Sequence, residues 1–168
     1  MNYLNLYTEL YNHNAAEYYF FDENASYFEK PENENENTTK YSVTYDKNGI
    51  FSYYRDNYVY TGGAHGITTR TSRTFDPVRG KVLRLRDFLR SEEEVELAKK
   101  DILKQAEERM KENPSIFFND YKELLKKNFN PENFYVSDKG LIIYYQQYDI
   151  APYSTGIVEF SVPYKAPR

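Results

Sequence analysis

The sequence predicts an α+β domain whose mainly antiparallel sheet is built from hairpins and packed with an N-terminal helix and a central helical pair. Three observations carry that expectation. Strand-like stretches come in neighbouring pairs around short turns rich in Gly, Asn and Asp, the pattern of hairpins. The helical stretches downstream lie together in mid-chain, so the strict strand-helix alternation of a parallel α/β protein is missing. Tyr and Phe, 19 and 11 of 168 residues with no Trp, supply much of the apolar mass in residue types that favour strands.

In order, Tyr3, Leu6, Tyr7, Leu10, Tyr11, Tyr18 and Phe21 recur mostly at three and four residues and predict a helix over about 2–22, weakened at Asn12-His13-Asn14. Residues 31–40 alternate Glu and Asn without an apolar side chain and are expected to form a mobile loop. Tyr41, Val43 and Tyr45 alternate with polar residues, Lys47-Asn48-Gly49 turns the chain, and Ile50 to Tyr60 continues as an aromatic strand. A second hairpin is expected from Ile67 to Phe75 through Asp76-Pro77-Val78-Arg79-Gly80 to Val82, Leu83 and Leu85.

Ser91 with Glu94 three residues on makes a capping box, and Val95, Ala98, Ile102, Ala106 and Met110 trace the buried stripe of a helix ending before Asn113-Pro114. A shorter helix over about 119–128 buries Tyr121, Leu124 and Leu125. Its C-terminal lysines suit the helix dipole. A third hairpin joins Phe134–Val136 to Leu141–Tyr145, and a last strand runs from Gly156 to Val162 before Pro163. All 168 residues are read as a single compact domain, with residues 1–60 as a helix-plus-hairpin part and 61–168 as a C-terminal part.

Composition narrows the function. A net charge of -4 argues against nucleic acid, whose binders concentrate Lys and Arg on one face. The basic set Arg70, Arg73, Arg79, Lys81, Arg84 and Arg86 reads either as a solvated hairpin edge or as an anion site. Without cysteine, thiol catalysis and cysteine-ligated metals are excluded. No run of about 18 apolar residues and no export signal is present, so the chain is expected either to stay in the cytoplasm or to meet a membrane only through a segment absent from it. No phosphate loop, Gly-x-Ser-x-Gly elbow or paired-histidine motif occurs, and no cofactor is expected.

Two stretches stand out: Tyr60-Thr61-Gly62-Gly63-Ala64-His65-Gly66, and Tyr148-Asp149-Ile150-Ala151-Pro152-Tyr153 followed by Gly156, Phe160 and Pro163-Tyr164. With the Phe75-Asp76 turn and Leu85–Leu89 in the same order, they resemble the paired domains of unknown function found in RsiV-type, lysozyme-sensing anti-sigma factors and before the catalytic domain of some peptidoglycan deacetylases. The resemblance covers residues 40 to 164 best. It implies an extracytoplasmic or secreted module that recognises a protein such as a lysozyme, or a peptidoglycan fragment, and carries out no chemistry of its own. The sigma-binding and deacetylase segments of those relatives have no counterpart here, and the missing first strand suggests a truncated start.

The expected ligand-binding residues are Tyr60, Gly62, Gly63, His65, Tyr148, Asp149 and Tyr153. His65 among three glycines admits three readings: a turn residue tied by hydrogen bonds, a ligand contact, or a general base. Asp149 is either a turn residue ahead of Pro152 or the carboxylate of a polar pocket. Together the two would form the acid-base pair of a cell-wall hydrolase, the alternative to binding, if both reached one pocket. The tyrosines at 53, 54, 58, 60, 144, 145, 148 and 153 are too many to bury with satisfied hydroxyls, so some are expected to line a surface that stacks on sugars or anchors a partner.

Overall fold

The computed structural model describes residues 36–164. The helix expected over 2–22 and the first part of the expected loop lie outside the described residues. Within them the chain is α+β, with two antiparallel sheets and a helical segment between them in sequence. The first sheet has the order β1 (Glu36–Lys47), β2 (Ile50–Tyr60), β3 (Ile67–Asp76) and β4 (Lys81–Val82). The second has the order β5 (Phe134–Ser137), β6 (Gly140–Tyr145) and β7 (Val158–Val162). Between them come α1 (Leu85–Phe88), α2 (Glu92–Glu112) and α3 (Tyr121–Lys127).

Local chemistry explains the boundaries. Asn48 and Gly49 take positive φ of 55° and 71°, the two-residue turn that matches the twist of a hairpin. Ser91 caps α2 by accepting the Glu94 N–H at 3.1 Å, while the Glu94 carboxylate accepts the Arg90 N–H at 2.6 Å. That pair removes two donors from the unsatisfied set at a helix start.

Two expectations require correction. Glu36–Lys40, read as loop, belong to β1 and pair with Asp56–Tyr60. Backbone pairing and contacts such as Thr39 Oγ1 to Asn57 Oδ1 at 2.8 Å hold them without an apolar side chain, and a charged, polar strand suits a sheet edge. Leu85, read as strand, opens α1, because the Asp87 carboxylate accepts the Arg84 N–H at 2.7 Å and starts a helical turn there. The return strand of that hairpin shrinks to Lys81–Val82.

The second sheet is buried on both faces. Phe134, Val136, Leu141, Ile143, Tyr145, Val158, Phe160 and Val162 join Leu85, Phe88, Ala98, Ile102, Ala106, Tyr121 and Leu125 in the main core. On the opposite face, Tyr135, Ile142 and Tyr144 pack against Tyr54 of β2 and Ile157. This split follows the period-2 alternation of strand side chains.

Hydroxyls join the sheets. β5 is an edge strand, and its Val136 N–H donates to Ser52 Oγ at 3.0 Å while Ser72 Oγ donates to the Phe134 carbonyl at 2.5 Å. Ser52 also bonds Thr74 Oγ1 at 2.8 Å, and Ser72 bonds the Tyr144 hydroxyl at 3.1 Å. Small polar side chains of the first sheet thus satisfy the backbone edge of the second, as burial requires.

Candidate functional site

The site lies where the β2–β3 connection of one sheet meets the β6–β7 connection of the other. Gly62 and Gly63, both at φ 99°, take a conformation that L side chains rarely adopt. Gly66 is needed for a different reason. A Cβ there would sit 2.5 Å from both Tyr58 Cζ and the Val59 carbonyl oxygen. The Gly66 N–H donates to the Tyr58 hydroxyl at 3.2 Å, and the Tyr60 hydroxyl donates to the Gly63 carbonyl at 2.8 Å, so two tyrosines of β2 tie the turn.

On the other side, Tyr148 holds a left-handed backbone at φ 67°, a strained conformation for an aromatic residue that costs on the order of 1 kcal/mol. The segment around it is fixed from several directions. Gln146 N–H donates to Asp149 Oδ2 at 2.8 Å, Asn128 Nδ2 to the Asp149 carbonyl at 2.6 Å, and Thr155 Oγ1 to the Ile116 carbonyl at 2.8 Å.

These two loops bring together His65, Tyr148 and Tyr153, drawn from both motifs. The His65 ring stacks on Tyr153 with centroids 3.6 Å apart and planes 14° from parallel. Its Nδ1 lies 3.3 Å from the Gly66 carbonyl and its Nε2 3.3 Å from the Tyr148 hydroxyl. A carbonyl only accepts, so the contact with Gly66 calls for an N–H on Nδ1. Tyr148 is 45% exposed and His65 is also exposed. The result is a ring platform with hydroxyls at its margin.

The remaining predicted residues are placed differently. Tyr60, Gly62 and Gly63 form the turn that carries His65. Asp149 bonds within its own turn and faces a shallow cavity of about 370 Å³ together with Asn128, Phe129, Asn130 and Gln146. Burial lifts its carboxyl above the usual range, against the lowering effect of the Gln146 N–H. Among the described residues neither ring nitrogen of His65 bonds a carboxylate. Tyr144 and Tyr145, expected among the candidates for a surface, are core residues, with the Tyr145 hydroxyl donating to the Leu125 carbonyl at 2.9 Å.

Sequence reasoning missed the groups that hold the two loops in register. Gln146 Oε1 accepts the Arg70 N–H at 2.9 Å while its Nε2 donates to the Arg70 carbonyl at 2.6 Å. Gln147 Oε1 accepts the Thr68 N–H at 2.7 Å. One side-chain amide therefore reads both backbone groups of Arg70 as a neighbouring strand would. Arg70 itself, expected on an edge or in an anion site, is 7% exposed. Its guanidinium donates to both Asp56 oxygens at 2.6 Å, bonds Glu159, and lies 3.7 Å from the centre of the Tyr54 ring. Burial alone would lower its proton affinity, but the Asp56 bonds and field more than offset that and keep it charged. Only the strand assignment of residue 70 hinted at this, because its face follows from the register.

Fold and site together define an α+β domain of two antiparallel sheets, with a helical layer behind the second and a surface ring cluster where their loops meet. Residues 86–165 match the family described as "Protein of unknown function (DUF3298)", and residues 2–68 match the family described as "Deacetylase PdaC". The chain is therefore similar to RsiV-like, DUF3298-containing proteins, as its motifs indicated. It is 25% identical over 127 residues to the anti-sigma-V factor RsiV of Bacillus subtilis (strain 168), covering 73% of this chain and 44% of that protein. A DUF3298 family protein of Pseudomonas aeruginosa PAO1 shares the fold with a TM-score of 0.58 at 23% identity, over 76% of this chain and 57% of that one. A DUF3298 family member of Bacteroides fragilis does so with a TM-score of 0.56 at 23% identity, over 95% and 60% of the two chains. This chain therefore spans less than half of the curated relative and under two thirds of the two solved chains.

Proposed function

We propose that this protein is a non-enzymatic, extracytoplasmic binding or sensory module whose His65, Tyr148 and Tyr153 platform recognises a protein of the lysozyme type or a cell-wall glycan. The observation that carries the reading is the strained, exposed Tyr148 held against His65. Backbone strain is retained where surrounding structure enforces it, and such sites are disproportionately functional. Stacked rings with polar margins suit either ligand, since they offer apolar faces to a sugar or an anchor side chain and hydroxyls to its polar groups. Similarity to an anti-sigma factor favours protein recognition.

The chemistry of the platform is that of contact. His65 is bonded to a tyrosine and a carbonyl, whereas the hydrolase alternative pairs it with a carboxylate such as that of Asp149 within reach of one pocket. Calorimetry with a c-type lysozyme and, separately, with soluble peptidoglycan fragments tests the reading. Tyr153→Ala is expected to weaken the productive interaction by at least about tenfold, as for an interface anchor worth over 1.4 kcal/mol, with an unchanged circular dichroism spectrum. Absence of binding to both probes, or binding indifferent to Tyr153→Ala and Tyr148→Ala, would refute it.

A further inference from the structure

The turn that carries Tyr148 lines a concavity with its next residue. The shallow cavity of about 370 Å³ at Asp149 lies between the end of α3 and the β6–β7 connection. Amide side chains dominate its wall, where Asn128, Asn130, Asn133 and Gln146 stand beside the Asp149 carboxylate. Among its lining residues Lys127 is the one cation and Phe129 the one ring.

Bonds within the protein fix this frame. Asn128 Nδ2 donates to the Asp149 carbonyl at 2.6 Å, the Gln146 N–H to Asp149 Oδ2 at 2.8 Å, and the Glu132 N–H to Asn130 Oδ1 at 3.0 Å. The Asn133 N–H donates to the Asn130 carbonyl and its carbonyl accepts the Tyr144 N–H, both at 3.0 Å, so the backbone holds residue 133 whatever its side chain does. Other atoms of the same residues stay available. Asp149 Oδ1, Asn128 Oδ1, Asn133 Nδ2 and Lys127 Nζ have no partner among the described residues. Acceptors and donors therefore line one cavity together. Burial lifts the Asp149 carboxyl, and among the described residues no ion pair offsets that.

We propose that this cavity is a subsite for a neutral saccharide, one hexose unit of a glycan that also meets the ring platform. The inference rests on the glycan branch of the reading above and deepens it by seating a sugar at Asp149. Lining chemistry selects the class. An anion would meet the uncompensated Asp149 carboxylate, and a cation would meet Lys127. A peptide side chain needs mostly apolar walls, and here Phe129 is the one ring. Hydroxyls both donate and accept, so they satisfy a carboxylate, an amide oxygen and an amide N–H at once. A sugar carries several of them on a rigid ring, which limits the entropy lost on binding. Tyr148 and Asp149 are consecutive, with Cα atoms about 3.8 Å apart, so one linked chain can reach both places.

The test is calorimetry of the whole chain with chitohexaose, a neutral glycan, and with hexagalacturonate, an anionic one, followed by NMR of backbone amides. Saturable binding of chitohexaose is expected, with shifts at residues 127–133 and 146–149. Asp149→Asn keeps an oxygen for the Gln146 N–H but puts a donor where the free acceptor was. It is expected to weaken binding about tenfold, the effect of one lost charged hydrogen bond. Asn133→Ala is expected to weaken it about threefold. Lys139→Gln, an exposed change at the other end of β6, is expected to leave affinity unchanged. Weakening by Asp149→Asn without any effect of Tyr153→Ala would keep the subsite and remove the platform. Binding indifferent to Asp149→Asn would overturn the subsite, and the platform reading would survive if Tyr153→Ala still weakened it. No saturable binding of chitohexaose, or tighter binding of hexagalacturonate, would overturn the proposal even if a lysozyme binds the platform. Thermal melts of the variants confirm that folding is retained.

Discussion

Replacing Arg70 with methionine tests how the two sheets are held together. The Arg70 side chain is 8% exposed and is bonded to Asp56 and Glu159, whose side chains are 22% and 41% exposed. Removing one partner of a fully buried pair costs about 3–5 kcal/mol. Asp56 and Glu159 both regain water when the cation leaves, which places this case at the low end, and the lost stacking on Tyr54 adds about 0.5–1 kcal/mol. Methionine returns part of that through packing. The expected cost of Arg70→Met is about 3 kcal/mol, a fall in Tm of roughly 6–12 °C for a chain of this size. Arg70→Lys keeps the charge but loses the fork that spans both Asp56 oxygens, so it is expected to cost about 1–2 kcal/mol. Urea unfolding followed by circular dichroism, with a common m-value, measures both. A cost under about 1 kcal/mol for methionine, or a lysine variant equal to the parent, would refute the argument that the seam depends on a desolvated, bidentate cation.

Two further substitutions probe the loops. Gly66→Ala drives a methyl group to 2.5 Å from a backbone carbonyl and a tyrosine ring, so it is expected to destabilise by about 2–3 kcal/mol, as overpacking does, and to shift the near-ultraviolet spectrum of the ring cluster; a neutral outcome would mean that the turn can relax freely. Asp149 has a folded pKa above its ordinary value because of burial. Its stabilising contribution is therefore complete below the unfolded pKa of about 3.9 and is lost as pH rises through the folded value. Asp149→Asn keeps an oxygen for the Gln146 N–H, so at pH 7 it is expected to be at least as stable as the parent, with a flatter stability profile above about pH 4; a clear loss at pH 7 would show that the charge itself is needed.

Much of this architecture was legible because it is local. The Ser91 cap, the Asn48-Gly49 turn and the stripe from Val95 to Met110 each declare themselves within one helical turn or one hairpin. Part of the site was legible for the same reason, since glycines around His65 and a proline near Tyr153 mark places where chains turn. What stayed hidden depends on partners far apart in sequence. Arg70 reads as one more basic strand residue until Gln146, 76 positions on, and Glu159, 89 positions on, are folded against it. Glu36–Lys40 have no apolar pattern, and only their pairing with β2 makes them a strand. The serines at 52 and 72 look like solvent-facing residues, and only the arrival of β5 turns them into its hydrogen-bond partners.

The amide of Gln146 has a consequence for how this surface can change over time. A conventional neighbouring strand would need successive residues in fixed register to occupy the open side of β3. Here two glutamine side chains do so from consecutive positions just past the end of β6, and Tyr148 takes its left-handed turn at the very next residue. The connection to β7 is thereby uncoupled from the sheet's ladder. It can lengthen, shorten or exchange its rings without slipping a strand, which makes it a tolerant place for new specificities to be written on an unchanged frame.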